Sequence, residues 1–219
     1  MIDLNDFLQQ TVAGYLFNDL RTMQGADLPP GQTSGSLGYP LLMSTFAGIE
    51  LLGGLLFARR FNAYQGEQHF THFWVYHLYP SDPVKRAAGL TLYKLVRHGL
   101  AHVYATKGKF IVEKNEGRRH LQLLPSEDGR DQFYYIDAGQ LASDLITSYR
   151  RSVEGASEED KRRMQENLNG MATSYQKQSS RDFASLLSSA GPSTSSVRPV
   201  DTSMPSSASP ASSGSAFGG

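Results

Sequence analysis

The segment of residues 40–61 constrains the fold most, because it is apolar nearly all the way around a helix. Pro40 suits the first helical turn, where its missing N–H costs least. A helix without a polar face is either the central helix of a bundle or a membrane span. Glu50 lies at its middle, and a carboxylate is costly inside a bilayer. We therefore predict the central helix of a soluble bundle, with a cation near Glu50 and no membrane association.

Three further helices are predicted around this one. The first shows apolar spacings of three and four residues, carried by Leu4, Phe7, Leu8, Val12, Tyr15, Leu16, Leu20 and Met23. Residues 27–39 read as a long loop. Residues 68–79 form a short aromatic-rich helix that ends before two prolines, and residues 84–105 form the fourth helix. The first half of the chain is thus predicted to be a helical bundle.

The apolar period changes after the fourth helix. Residues 109–114 and 120–124 read as a hairpin around a turn at 115–117, and residues 132–136 can join it. Asp137 can cap a helix that runs to about Val153, and Ser157 can cap a later polar helix. That helix carries only Met164, Leu168 and Met171 as a thin apolar stripe. We therefore interpret it as a peripheral or partner-binding element.

The predicted fold class is mainly α, a helical bundle with a small antiparallel β-hairpin or meander after the fourth helix. Residues 1–153 form the helical domain, with the hairpin at about 109–136, and residues 154–189 form peripheral helices. From residue 190 to 219 the chain is mostly Ser, Pro, Ala and Gly. Such a composition cannot bury a core, so a disordered C-terminal tail is predicted.

Composition and charge narrow the function. The chain has no Cys, which removes disulfides, thiolate zinc sites and iron–sulfur clusters. The start of the sequence does not resemble a signal peptide, so we expect a cytoplasmic protein. The net charge is zero, yet residues 85–119 contain nine Lys or Arg against two Glu. This distribution predicts a local basic patch that could contact phosphates.

The sequence Arg97-His98-Gly99-Leu100-Ala101-His102, late in the fourth helix, is the one segment that carries chemistry. His98 and His102 are four residues apart and therefore share a face. Lys94 and Arg97 lie on the same side of the predicted helix. Small residues between them leave room for another surface to approach.

This segment resembles the signature of the HEPN superfamily. That signature consists of an Arg, a polar residue directly after it and a His a few residues later, all in one helix of a bundle. The central helix with Glu50 is similar to the acidic helix that often supports the motif Arg. The resemblance covers the motif and, in architecture, about residues 1–105. It implies a metal-independent endoribonuclease or RNA-binding protein, of the toxin or defence kind, without a cofactor. It also implies a homodimer in which two motif faces share one cleft.

The resemblance implies that the catalytic residues are Arg97, His102 and His98, and that Glu50 supports the motif Arg. His102 would be the acid and base for an RNA 2′-hydroxyl, and Arg97 would hold the phosphate as its charge builds. His98 would orient one of them or bind the phosphate. Cleavage would leave a 2′,3′-cyclic phosphate. RNA backbone contacts are expected from Lys94, Lys107 and Lys109.

Two alternatives remain open at the level of sequence. Arg97 and Glu50 can form a purely structural ion pair in a non-catalytic helical interaction module. His98 and His102 also have the spacing of zinc ligands, as do His69 and His72 as a second close pair, but no third ligand is defined. We therefore predict no metal site. His69, His72 and His77 are interpreted as the polar fringe of an aromatic core patch.

Overall fold

The computed structural model describes residues 2–27, 37–97, 99, 109–114, 119–126 and 129–189. Within this part of the chain it has six helices and one three-stranded sheet, so the mainly α fold class is confirmed. The predicted tail, His98, His102 and Lys107 lie outside the described residues. Helix α1 covers residues 4–25, α2 covers Gly38–Leu56 and α3 covers residues 66–78. Helix α4 covers residues 83–97, α5 covers residues 138–154 and α6 covers Glu158–Ser189. The strands are β1 (Phe110–Glu113), β2 (Gln122–Pro125) and β3 (Gln132–Asp137).

Helix α2 is the centre of the bundle, as predicted, but it ends at Leu56 and not at about residue 61. Six of its apolar side chains have no solvent exposure: Leu41, Leu42, Phe46, Ile49, Leu52 and Leu55. It packs against α1, α3 and α5. Among the described residues it is the one helix long and apolar enough to cross a bilayer, and 61% of its apolar window is buried inside the protein. Core helices of soluble proteins pass the same test of length and composition.

Aspartate side chains cap the N-termini of three helices. Asp3 accepts the backbone N–H groups of Asn5 and Asp6, at the start of α1. Asp82 accepts the backbone N–H of Lys85, and Asp137 accepts that of Gln140. Each side chain satisfies donors that have no partner in the first turn. The predicted cap at Asp137 is therefore confirmed.

The middle of α1 differs from the regular helix that the apolar spacing predicts. Leu8–Leu16 is π-helical, so its hydrogen bonds span five residues and each turn holds more than 3.6 residues. The wider turn rotates the following residues around the axis. Tyr15, predicted on the buried stripe, is 71% exposed, and Phe17 is buried instead against the edge of the Tyr149 ring.

The sheet has the order β1-β3-β2, which differs from the predicted hairpin. Strand β1 pairs with β3 in parallel, with Phe110 opposite Tyr134, and β2 pairs with β3 in antiparallel, with Leu123 opposite Tyr134. Strand β3 takes the middle because it is the most buried, with Tyr135 and Ile136 in the interior. The sheet is therefore mixed, and the prediction that the first two strands pair with each other is wrong.

Helix α6 is not peripheral over its first half, which corrects the prediction for residues 154–189. Met164 and Leu168 are almost fully buried and belong to the same core as α2. The predicted cap is confirmed, because the Ser157 hydroxyl accepts the backbone N–H of Asp160. The thin stripe is buried because it faces the bundle.

The described residues up to Ser180 form one compact unit, and residues 181–189 are helical and belong to a second unit.

Candidate functional site

Helices α2 and α4 bring Glu50 and Arg97 together. Arg97 Nη2 lies 3.3 Å from Glu50 Oε2. Both side chains are partly buried, with exposed fractions of 29% for Arg97 and 26% for Glu50. The carboxylate in the apolar central helix thus has the nearby cation that the sequence predicts. Of the four residues predicted for the catalytic site, Glu50 and Arg97 are the two that the structure describes.

Tyr93 is the third member of this cluster. Its hydroxyl lies 3.4 Å from Glu50 Oε2, and the Arg97 guanidinium lies over its ring at 5.8 Å from the centroid. Burial and then the Glu50 charge raise the pKa of Tyr93, so the phenol stays neutral and can donate to the carboxylate. Arg97 is therefore positioned by a carboxylate on one side and an aromatic face on the other.

Gly66, the first residue of α3, makes room for the cluster. A β-carbon at this position would lie 2.4 Å from Glu50 Oε1 and 3.0 Å from the Tyr93 hydroxyl. Only a residue without a side chain fits here while the carboxylate keeps its place. Three helices thus meet at Glu50.

The lysines predicted to hold RNA are paired with carboxylates. Lys94 Nζ is 3.7 Å from Glu67, and Lys109 forms an ion pair with Asp131. Both pairs are exposed, so each is weak and can exchange for a phosphate. The local excess of Lys and Arg in the sequence is therefore partly neutralised by acidic residues from other segments.

The predicted catalytic imidazoles, His98 and His102, lie outside the described residues, and so does Lys107. The arrangement of Arg97 with either histidine thus stays a prediction. Among the described residues, no group of three or more His, Asp or Glu side chains has the geometry of a metal site.

The remaining predicted histidines lie in an aromatic patch. His69 is 2% exposed, stacks on Phe61 at 4.9 Å between centroids, and meets Phe57 edge-on at 5.1 Å. Burial lowers the pKa of His69, and burial also lowers that of His77, to about 4. These rings are neutral at pH 7 and pack as aromatic groups, as predicted.

The sequence analysis missed a polar cluster formed by Tyr79, His120 and Asp144. The Tyr79 hydroxyl donates to Asp144 Oδ2 at 2.7 Å and lies 3.0 Å from His120 Nε2. Burial lowers the pKa of His120 despite the neighbouring carboxylate. His120 and Asp144 line a cavity of about 490 Å³, and the next residue, Leu121, has φ of 55°.

No local signal marks this cluster, because Tyr79 follows the end of α3, His120 precedes β2 and Asp144 lies in the middle of α5. A positive φ at a β-branched or bulky position is costly, so the backbone beside His120 is strained. Asp144 alone looks like an exposed helix residue in the sequence. Only the packing of three segments brings the groups together.

Comparison of the chain with models of protein families, with curated proteins and with solved structures finds no match. The resemblance to HEPN proteins therefore depends on the motif around Arg97 and on the helical architecture.

Proposed function

We propose that this protein is an HEPN-like RNA-binding protein that cleaves RNA without a metal, with Arg97 as the phosphate-holding group. The observation that carries the proposal is the way Arg97 is held. Its guanidinium is fixed by Glu50 and the Tyr93 ring, yet 29% of the side chain is exposed. A cation that is positioned in advance and reachable from solvent suits a phosphate whose charge builds during a reaction.

The Arg97 guanidinium keeps donors for such a phosphate. Among the described residues it contacts Glu50 through one nitrogen, Nη2. A guanidinium has five N–H donors in a planar fork, so further donors can reach phosphate oxygens while the Glu50 contact persists. Glu50 and Tyr93 are positioning residues, because they act through Arg97.

The proposed reaction is intramolecular transfer at the RNA phosphodiester. The 2′-oxygen forms a bond to phosphorus, and the bond from phosphorus to the 5′-oxygen breaks. His102 takes the 2′-hydroxyl proton as base and then, as the imidazolium, returns it to the leaving 5′-oxygen. The products are a 2′,3′-cyclic phosphate and a 5′-hydroxyl. The proposal includes a homodimer in the cytoplasm, in which two motif faces share one cleft.

The test is cleavage of an end-labelled single-stranded RNA by the full chain in the presence of EDTA. Arg97→Ala and His102→Ala should each lower the rate by about 100-fold or more, since they remove the charge-stabilising and proton-transferring groups. Arg97→Lys should restore little, because an ammonium lacks the planar fork. Arg86→Ala is the matched control, as an exposed arginine of the same helix.

A second candidate is a non-catalytic helical interaction module in which Arg97 and Glu50 only hold the fold. The observation that favours it is that Lys94, Arg97 and Lys109 are all paired with carboxylates. In that case Arg97→Ala lowers the free energy of unfolding while the wild type neither binds nor cuts RNA. Additional replacement of Glu50 by Gln would then recover part of the loss, because no unpaired carboxylate remains.

A further inference from the structure

A cavity of about 490 Å³ lies between the loop after α2 and the middle of α6. Three arginines line it, Arg59, Arg60 and Arg163, with Glu166 as the one carboxylate among its lining residues. The cavity is distant in the sequence from the motif around Arg97, and no element of the proposed cleavage site lines it. Its local charge is positive although the chain as a whole is neutral.

The positive charge of this cavity is only partly compensated. Arg59 and Arg60 are exposed and form no ion pair within the part of the chain that the structure describes. Arg163 contacts Asp160 through Nη2 at 2.6 Å, but its Nε is buried and has no hydrogen-bond partner among the described residues. The Arg163 side chain as a whole is 38% exposed, so the other N–H groups of its guanidinium can donate to an anion in the cavity.

Asn167 holds the two walls of the cavity in place. Its side chain accepts the backbone N–H of Phe61 at 3.0 Å and donates to the carbonyl oxygens of Leu55 and Phe57, each at 3.0 Å. The loop that carries Arg59 and Arg60 is thereby tied at both ends to α6. The backbone that carries Arg59 and Arg60 is thus held in place, which lowers the entropic cost of binding a ligand.

A second cavity, of about 710 Å³, adjoins the first, and both are lined by Ala58 and Arg59. Its wall includes the rings of Phe57, His72 and Tyr76. The His72 ring lies 5.3 Å from that of Phe57 and 5.1 Å from that of Tyr76, between centroids. Tyr76 is 63% exposed, so an aromatic face is open to a ligand.

We propose that the two adjoining cavities bind a phosphate monoester that carries an aromatic ring. The phosphate contacts Arg59, Arg60 and Arg163, because guanidinium groups match phosphate oxygens in charge and in planar geometry. The ring packs against His72 and Tyr76 in the second cavity. Arg59, at the junction, is close to both parts of the ligand. This site does not depend on the cleavage chemistry proposed for Arg97.

The experiment titrates the full chain with phenyl phosphate and with inorganic phosphate, by calorimetry. We expect phenyl phosphate to bind more tightly than phosphate, since it reaches both cavities. Arg60→Ala and Arg163→Ala should weaken binding of both ligands by about tenfold. Arg162→Ala should leave both affinities unchanged, because Arg162 is exposed on the same helix and does not line the cavity.

The aromatic part is tested separately with Tyr76→Ala. This change should weaken phenyl phosphate by about fivefold and leave inorganic phosphate unchanged, whereas Tyr15→Ala, at another exposed tyrosine, should affect neither. The proposal is overturned if phenyl phosphate does not bind at about 10 mM. Equal losses for Arg162→Ala and Arg163→Ala, or full affinity of Arg60→Ala, would also overturn it. Arg60 and Tyr76 are exposed, so their variants should fold even if Arg163→Ala does not.

Discussion

The carbonyl oxygen of His69 occupies the space that a side chain at Gly53 would need. A β-carbon on Gly53 would lie 1.9 Å from this oxygen, far inside van der Waals contact. The backbones of α2 and α3 are therefore in close contact here, and the Phe46 and Phe70 rings of the same two helices meet edge-on at 5.1 Å. The aromatic patch therefore depends on a glycine in the central helix.

Gly53→Ala should destabilise the protein by about 3 kcal/mol or more, because one backbone must move away from the other and the aromatic packing is lost. Urea unfolding followed by Trp74 fluorescence measures the change. Gly25→Ala is the matched control, since a β-carbon there meets nothing within 4 Å. The control should be neutral or slightly stabilising. Equal stability of the two variants would contradict the close helix contact.

Asn167→Ala should lower the free energy of unfolding by about 2–4 kcal/mol. Asn167 is 2% exposed, and its loss leaves three backbone groups without their partner, one in the last turn of α2 and two in the loop after it. Thermal unfolding measures this effect. Asn169→Ala removes an amide that, among the described residues, bonds to the nearby Gln165 side chain alone, and should cost less than about 1 kcal/mol.

Tyr79→Phe should destabilise the protein by about 1–3 kcal/mol, because Asp144 loses a donor and the buried His120 loses a partner. Tyr134→Phe is the contrasting variant. The Tyr134 hydroxyl is buried and has no hydrogen-bond partner among the described residues, so its removal should be neutral or stabilising. Chemical denaturation of the two variants in parallel compares them. A larger loss for Tyr134→Phe would contradict the assigned network.

Stability should fall as the pH falls from about 6.5 to about 4, in part because of His77. Burial and then the charges of His72, Arg151 and Arg163 lower the pKa of His77 to about 4, against the opposing effect of Asp160. Its pKa in the unfolded chain is about 6.5. Between these values the unfolded state binds the extra proton, so protonation favours unfolding, and above pH 6.5 the effect disappears.

The variant His77→Gln tests this source of acid sensitivity. Between pH 7 and pH 5 the wild type should lose about 1 kcal/mol more than the variant, after allowance for solvent screening of the partly exposed ring. Urea unfolding at both pH values measures the difference. Nuclear magnetic resonance titration of the His77 ring gives the pKa directly, and a value near 6.5 would contradict the prediction.

Local patterns were sufficient for the approximate positions of the helices and for their caps, but not for the π-helical middle of α1 or for the end of α2 at Leu56. The apolar spacing of α1, the continuous apolar run of α2 and the carboxylate before α5 are local features, so the sequence alone locates these helices. The pairing of β1 with β3 was not predictable in this way. Turn residues between two short strands suggest a hairpin, but which strand lies in the middle depends on how deeply each is buried.

Some residues of the candidate site were also predictable from local sequence, whereas others were not. The need for a cation near Glu50 follows from a carboxylate in an apolar helix, and Arg97 was identified by its motif. Tyr93 and Gly66 were missed because their roles depend on the distance between helices. The three arginines of the cavity by α6 were also missed, since Arg163 is about a hundred residues from Arg59 and Arg60 in the sequence.

The amino-acid sequence by itself determined the mainly helical class, the central position of the apolar segment 40–61 and the demand for charge compensation at Glu50, because helix periodicity and the apolarity of a segment are local properties. Tertiary structure alone decided the strand order, the burial of the α6 stripe and the joining of Tyr79, His120 and Asp144. These depend on contacts between distant segments, and the sequence of one segment does not specify which other segment it contacts.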